Sequence, residues 1–357
     1  MPTGTVSRRL QTSLSSSSSS SFLEDDQQLD AAVLVPGFLT GAAEFQSLAD
    51  DLTHKCGIPT LVVPFPNWHW IPCLGGRSIR PMLERLDYAV QHFCAAHGNL
   101  TRVQEQLLQT PIQYTGRDLW RDFQTNPGGI YQVGGSARVD DYPTNVHPQG
   151  QFPLPSSLSS SLSSNSTATG KKKIALIGHS AGGWIARIYL SNVTYGGKVY
   201  RGQEHVHSLV TLGTPHGPAP GFAFEGIQWI DRIEKQQQEQ REQQVSRRVR
   251  QLAVGGTGFM GGEWGGLTKG AYAFCCLNGT DGTHYDGDGV TPIQSALAWK
   301  GAEQMVIENV THFCWSDVFG SSFVAPELTR DHKEGRPWYG SPGVLEQWAG
   351  WITKKES

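Results

Sequence analysis

Gly178-His179-Ser180-Ala181-Gly182 stands between the strand-patterned stretch Lys171–Ile177 and the helix-patterned stretch Ala181–Leu190. No other feature constrains the chain as strongly. Small residues two before and two after a serine suit a sharp strand-to-helix turn, where larger side chains would collide with strand or helix. Such a turn lifts the serine hydroxyl off the sheet edge, and the following helix N-terminus favours negative charge developing beside it. In a chain with 42 glycines the pattern would be weak alone. Between a strand and a helix it is specific.

The flanking sequence repeats the same rhythm. Ala31–Val35 is a short apolar run ended by Pro36-Gly37, as expected of a strand buried on both faces. Glu44–Lys55 follows helical spacing, with Phe45, Leu48 and Leu52 on one stripe. Thr60–Phe65 reads as a second buried strand, and Pro81–Ala96 as a helix with proline in its first turn and Gly98 beyond its end. Val206–Leu212, Ala271–Leu277 and Gln304–Asn309 read as further strands, and Leu345–Ile352 as a closing helix. Alternating strands and helices predict an α/β fold with a mostly parallel central sheet and helices on both faces.

Three stretches fall outside that rhythm. Residues 1–29 carry Arg8, Arg9 and a serine run from Ser15 to Ser21, with no acidic residue before Glu24. This composition predicts a disordered start, either an organellar transit peptide, which would place the protein in a plastid, or a plain serine-rich tail on a protein otherwise expected to be cytoplasmic. Residues 30–357 then form one domain with two insertions. The first, about 111–170, is rich in Gly, Pro, Asn and Ser. The second, about 218–270, contains a Gln-rich helix candidate (Ile230–Leu252) and a glycine-loaded segment (Gly255–Gly266), and is expected to form a cap or lid. The 29 basic and 32 acidic residues give a net charge of −3, so no basic excess exists to hold nucleic acid. The apolar runs are too short to span a bilayer. Six cysteines show no CxxC pair and are expected to be reduced, buried thiols.

A serine hydroxyl is a poor nucleophile until a base takes its proton, and the base needs an acid to orient it. In enzymes with this kind of turn both follow the serine in the chain, acid first. Asp286 and Asp288 share the loop Asp286-Gly287-Asp288-Gly289-Val290-Thr291-Pro292, and His312 follows the stretch Gln304–Asn309. These positions lie past the carboxyl ends of strands, where open α/β sheets place ligands. His216 and His284 precede Asp288, and His332 lies well past the last strand. A calcium-loop reading of Asp281–Asp288 lacks the EF-hand spacing. Two backbone N–H groups should stabilise developing negative charge. One would come from Ala181 and the other from the loop after the first strand, at Phe38 or, next in order, Leu39.

The chain resembles the α/β-hydrolases of the serine esterase/lipase type. It is similar to lipase-like proteins of cyanobacteria and plastid-bearing organisms, and more distantly to the GPI inositol-deacylase-like group. The resemblance rests on Val35-Pro36-Gly37-Phe38, Gly75-Gly76-Arg77-Ser78, Gly178–Trp184, Leu212-Gly213-Thr214-Pro215-His216, Gly287–Pro292 and Trp338-Tyr339-Gly340-Ser341-Pro342. It spans about Ala31–Gly350 without the two insertions. It implies Ser180 as nucleophile, Asp288 rather than Asp286 as acid, and His312 as base.

Trp68, Trp70 and Leu39 are candidates to line an acyl pocket above the same sheet edge, although packing of an oversized loop onto the core explains the tryptophans equally well. The expected activity is hydrolysis of carboxylic esters, with a small-molecule or lipid ester as substrate. No cofactor, metal, nucleic acid or transmembrane segment is expected. A lipid substrate would bring peripheral membrane contact, but the Gln-rich helix has no clear apolar face for it. An acyltransferase could use the same acyl-enzyme, and a non-catalytic ligand receptor could use the same fold. A receptor has no use for all three side chains.

Overall fold

The computed structural model describes residues 27–38, 40–63, 70, 79–101, 103, 172–195, 199–217, 225–241, 249–263, 266–276, 281–313 and 336–354. The serine-rich start, the 111–170 insertion, Gly75–Ser78, Leu39, Trp68 and His332 lie outside them.

Among the described residues six strands form one sheet: β1 (Gln27–Val35), β2 (Thr60–Val62), β3 (Lys172–His179), β4 (Val206–Leu212), β5 (Arg250–Thr257) and β6 (Glu303–Glu308). Their spatial order is β2-β1-β3-β4-β5-β6, and every pairing is parallel. The helices are α1 (Gln46–His54), α2 (Arg80–Ala95), α3 (Ala181–Leu190), α4 (Glu225–Arg241), α5 (Gly266–Cys275), the short α6 (Ile293–Ala296) and α7 (Leu345–Ile352).

Strand periodicity divides the apolar side chains between two cores. Ala31, Val33 and Val35 of β1, with Ile174 and Leu176 of β3, face the core built with α2, α3 and α4. Ala32 and Leu34, with Ala175 and Ile177, face the core built with α1 and α7. Both faces of the central strands are covered, which is why they read as unbroken apolar runs. Among the described residues no helix is long and apolar enough to cross a membrane.

Three elements differ from expectation, and the differences are linked. The Gln-rich helix begins earlier and ends at Arg241, and residues 250–257 of the stretch expected to loosen a lid form β5. Polar Arg250 and Gln251 at one end and Gly255-Gly256 at the other hide this strand from propensity. The second glycine is a packing requirement. A Cβ at Gly256 would stand 3.0 Å from the Asp288 Cβ and 3.1 Å from the Tyr339 hydroxyl.

Residues 271–277, expected as a strand, instead fall largely in α5. With β5 seated between β4 and β6, the sheet has no vacancy there. Thr268, Tyr272 and Cys275 are buried at helical spacing while Phe274 is exposed. The run Ala271–Cys276 is apolar throughout, so its periodicity does not separate strand from helix. The expected alternation of Cys275 and Cys276 across a strand fails for the same reason: both are buried, at the end of a helix.

α4 is fixed to α3, the helix that leaves the sharp Gly178–Gly182 turn (the elbow). Ile227, Trp229 and Ile230 enter the α2–α3 core, and Gly226 lies close against the Trp184 ring. The guanidinium of Arg187, on α3, is buried and ion-paired to Asp231 at 2.5 Å and Glu234 at 2.9 Å. Glu234 also accepts the Trp299 indole N–H at 3.1 Å, and Arg187 lies over the Trp299 ring.

Candidate active site

Ser180 occupies the turn between β3 and α3 with φ +50° and ψ −128°. A non-glycine residue in such a conformation costs on the order of 1–3 kcal/mol, so the surroundings must impose it. They do so through its N–H, which donates to the Leu212 carbonyl at 2.9 Å and ties the elbow to the end of β4. The loop after β1 closes over the same point: a Cβ at Gly37 would lie 3.0 Å from the Ser180 Cβ. Phe38 is the next residue of that loop, and Ala181 opens the helix, where its N–H has no intrahelical acceptor. The Phe38 ring meets Trp70 edge-on at 5.4 Å. Trp70 is fully buried and donates its indole N–H to the Thr40 carbonyl at 3.1 Å, so it braces this loop from behind.

Asp288 and His312 come together from separate loops. His312 Nδ1 stands 2.7 Å from Asp288 Oδ2, and both side chains are shut off from solvent. The backbones meet as well, His312 N–H donating to the Asp288 carbonyl at 2.9 Å. With its Nδ1 proton directed at the carboxylate, His312 keeps a lone pair on Nε2. That nitrogen is buried and has no hydrogen-bond partner among the described residues. Asp288 Oδ1 accepts the N–H groups of Val290 at 3.0 Å and Thr291 at 2.7 Å, while Oδ2 also accepts the Tyr339 hydroxyl at 2.8 Å. Four donors therefore fill the carboxylate's acceptor sites, the arrangement needed to hold a buried charge.

Asp286 has a different task. Its Oδ1 accepts from the N–H groups of Gly258, Phe259 and Gly287 at 2.8–2.9 Å, pinning the turn after β5 to the acid loop. His216 is likewise committed elsewhere. It stacks on Trp299, accepts from Arg187 at Nδ1 and donates from Nε2 to Thr211 Oγ1. Burial, and then the Arg187 charge, push its pKa well below the usual histidine value. His284 is exposed.

Three residues at the site carried no role in the sequence reading. His179, beside the serine, reaches the His312 carbonyl with Nε2 at 2.8 Å; a carbonyl only accepts, so Nε2 bears the proton. Burial, and then the neighbouring His312, push its pKa well down, so this ring stays neutral. Gly213, at φ +56°, follows the residue that accepts the Ser180 N–H. A Cβ there would stand 2.5 Å from Asp288 Oδ2 and 2.8 Å from His312 Nδ1. Tyr339 completes the carboxylate's shell. Gly213 and Tyr339 lie within two of the stretches that carry the hydrolase resemblance, which was their only signal; His179 lies within the elbow itself.

Comparison with known proteins adds one family. The model of a PGAP1-like alpha/beta domain matches residues 91–260, just under half of the chain. The match takes in the elbow and β3 to β5 but stops short of Asp288 and His312. No curated protein and no solved structure matches the chain. The parallel six-stranded sheet, its flanking helices and this match identify an α/β-hydrolase fold.

Proposed function

We propose that the chain is a serine hydrolase that cleaves carboxylic esters through an acyl-enzyme. The observation that carries the reading is the solvent-excluded contact of His312 Nδ1 with Asp288 Oδ2 at 2.7 Å, on the sheet edge that also bears the strained Ser180 turn. The family match points to hydrolase chemistry without naming the bond.

Ser180 Oγ attacks the ester carbonyl while His312 Nε2 takes the hydroxyl proton, and the carbonyl π electrons move to oxygen. The N–H groups of Ala181 and Phe38 receive that oxyanion. Collapse re-forms the carbonyl and breaks the bond to the leaving alcohol, which departs with the proton from Nε2. Water then attacks the acyl-enzyme, giving its proton to His312. The second collapse releases the carboxylic acid and returns the proton to Ser180. Asp288 keeps Nδ1 protonated and balances the imidazolium in both halves.

An alcohol in place of water would make the same acyl-enzyme an acyltransferase intermediate, and product analysis with and without added alcohol distinguishes the two. A fluorophosphonate probe should label the wild type and not Ser180→Ala, with p-nitrophenyl esters of graded chain length reporting turnover. Equal labelling of both proteins refutes the assignment of the nucleophile. Failure to label either supports a binding protein instead.

A further inference from the structure

We infer that Tyr339 is a positioning residue for the triad acid: its O–H shares Asp288 Oδ2 with His312 and thereby sets how strongly the carboxylate holds the imidazolium. The inference rests on the proposed hydrolase mechanism and concerns a residue that mechanism does not otherwise use.

The chain brings the phenol to the carboxylate by a separate route. Thr311 and Trp338 form a parallel bridge, with Thr311 N–H donating to the Pro337 carbonyl at 2.8 Å. The next residues along each strand of this bridge are His312 and Tyr339. The Tyr339 carbonyl accepts the Trp348 indole N–H at 2.9 Å, fixing the segment against α7. The phenol is fully buried, its hydroxyl 2.8 Å from Oδ2, and Gly256 leaves the space in which it sits. Burial, and then the Asp288 charge, push its pKa well up, so it remains an O–H donor throughout the working range.

Oδ2 divides its acceptor strength between the phenol and the imidazole. Removing the phenol concentrates the carboxylate's charge on the His312 bond, which favours the protonated imidazole and raises the apparent pKa of the base. It also frees one acceptor site in a pocket without solvent, loosening the carboxylate's orientation. Among the described residues the other titratable groups nearby are His179, whose ring is 4.7 Å from His312 and 6.4 Å from Tyr339, and Tyr272, Cys275 and Asp286 around the acid loop. Burial holds His179 neutral, and Tyr272 and Cys275 are both pushed up by burial and Asp288. None of these three supplies a competing charge change near neutral pH.

The test is the pH profile of kcat/KM for Tyr339→Phe, with competent sites counted by fluorophosphonate titration. The acid limb should move up by about half to one pH unit, the worth of one hydrogen bond. On the plateau kcat should fall about tenfold, with KM within about twofold. Site-specific 3-fluorotyrosine at 339 provides the second arm, keeping ring and hydroxyl while strengthening the donor. It should move the acid limb downward, and it decides the matter should Tyr339→Phe not fold. If the wild type labels at Ser180 but neither replacement moves the limb, Tyr339 is structural only and this inference fails alone. An unlabelled wild type removes the hydrolase mechanism itself.

Discussion

Asp288 holds His312 twice, once through a backbone carbonyl at 2.9 Å and once through a carboxylate oxygen at 2.7 Å. The first contact fixes where the histidine's main chain sits; the second fixes how its ring is turned. Exchanging Asp288 for Asn keeps the first and reverses the second, because an amide N–H facing Nδ1 selects the wrong tautomer. Activity on a p-nitrophenyl ester should fall by about 10⁴-fold with folding intact. Asp286→Asn keeps an oxygen for the N–H groups it gathers, so its loss should stay within about tenfold. Reversal of these two results would reassign the acid.

Gly213→Ala should remove activity without touching a reacting group. The added methyl needs the space between Asp288 Oδ2 and His312 Nδ1, at a φ of +56° that alanine tolerates poorly. Displacement of the pair by even 1 Å is expected to slow fluorophosphonate labelling by about 100-fold or more. Labelling at the wild-type rate would show that the pair accommodates the methyl.

Arg187→Met tests the attachment of α4. The variant leaves Asp231 and Glu234 without their cation and His216 Nδ1 without its donor. Breaking a buried pair costs about 3–5 kcal/mol, and the low end is expected because the two carboxylates stay 18% and 31% exposed. Urea denaturation measures it. Arg187→Lys should recover only part, because an ammonium cannot reproduce the fork. A loss below about 1 kcal/mol for methionine would show that the ion pairs are energetically idle.

Stability should fall on mild acidification. Burial brings the His207 pKa down to about 4 from an ordinary 6.5, and burial holds His179 and His216 well below 6.5. A histidine depressed in the folded state takes up its proton only on unfolding. Its contribution is therefore intact above about pH 6.5 and is lost as pH falls towards 4, at up to about 1.4 kcal/mol per pH unit for each ring. His207→Gln, which can still donate to the Leu29 carbonyl that His207 Nε2 meets at 3.2 Å, should lower that slope by one histidine's share. Denaturation curves between pH 4 and 6.5 give the slope directly, and an unchanged slope refutes the assignment.

The parts of this architecture that were legible in sequence are those where local pattern and burial agree. Ala31–Val35 and Ile174–Ile177 are apolar because both sheet faces are covered, and Ala181–Leu190 follows from the elbow's glycines. β5 was not legible because its sequence answers to contacts made from elsewhere. Gly256 is small on account of Asp288 and Tyr339, 32 and 83 positions further on. α5 failed for a complementary reason, since only the occupied sheet rules out a strand there. At the site, side-chain chemistry pointed to Ser180 and His312, but the choice between Asp286 and Asp288 needed a resemblance. Nothing local distinguishes two aspartates spaced two apart in one glycine loop, whereas three backbone donors on one and a histidine on the other do.

The pairing of β1 with β3 also sets a timetable. Val35 is in register with Gly178, about 140 positions away, and β1 forms half of the bed on which the elbow rests. Closing so long a loop adds little to the equilibrium cost, because that cost grows only logarithmically with length. During synthesis, however, β1 waits on the order of ten seconds for its central partner at typical ribosomal rates. For that interval its one sheet neighbour among the described residues is the three-residue β2, and an apolar strand meant for burial on both faces stands half-assembled. The nascent chain is thus most exposed to aggregation, and most in need of a chaperone, before Ser180 has been made.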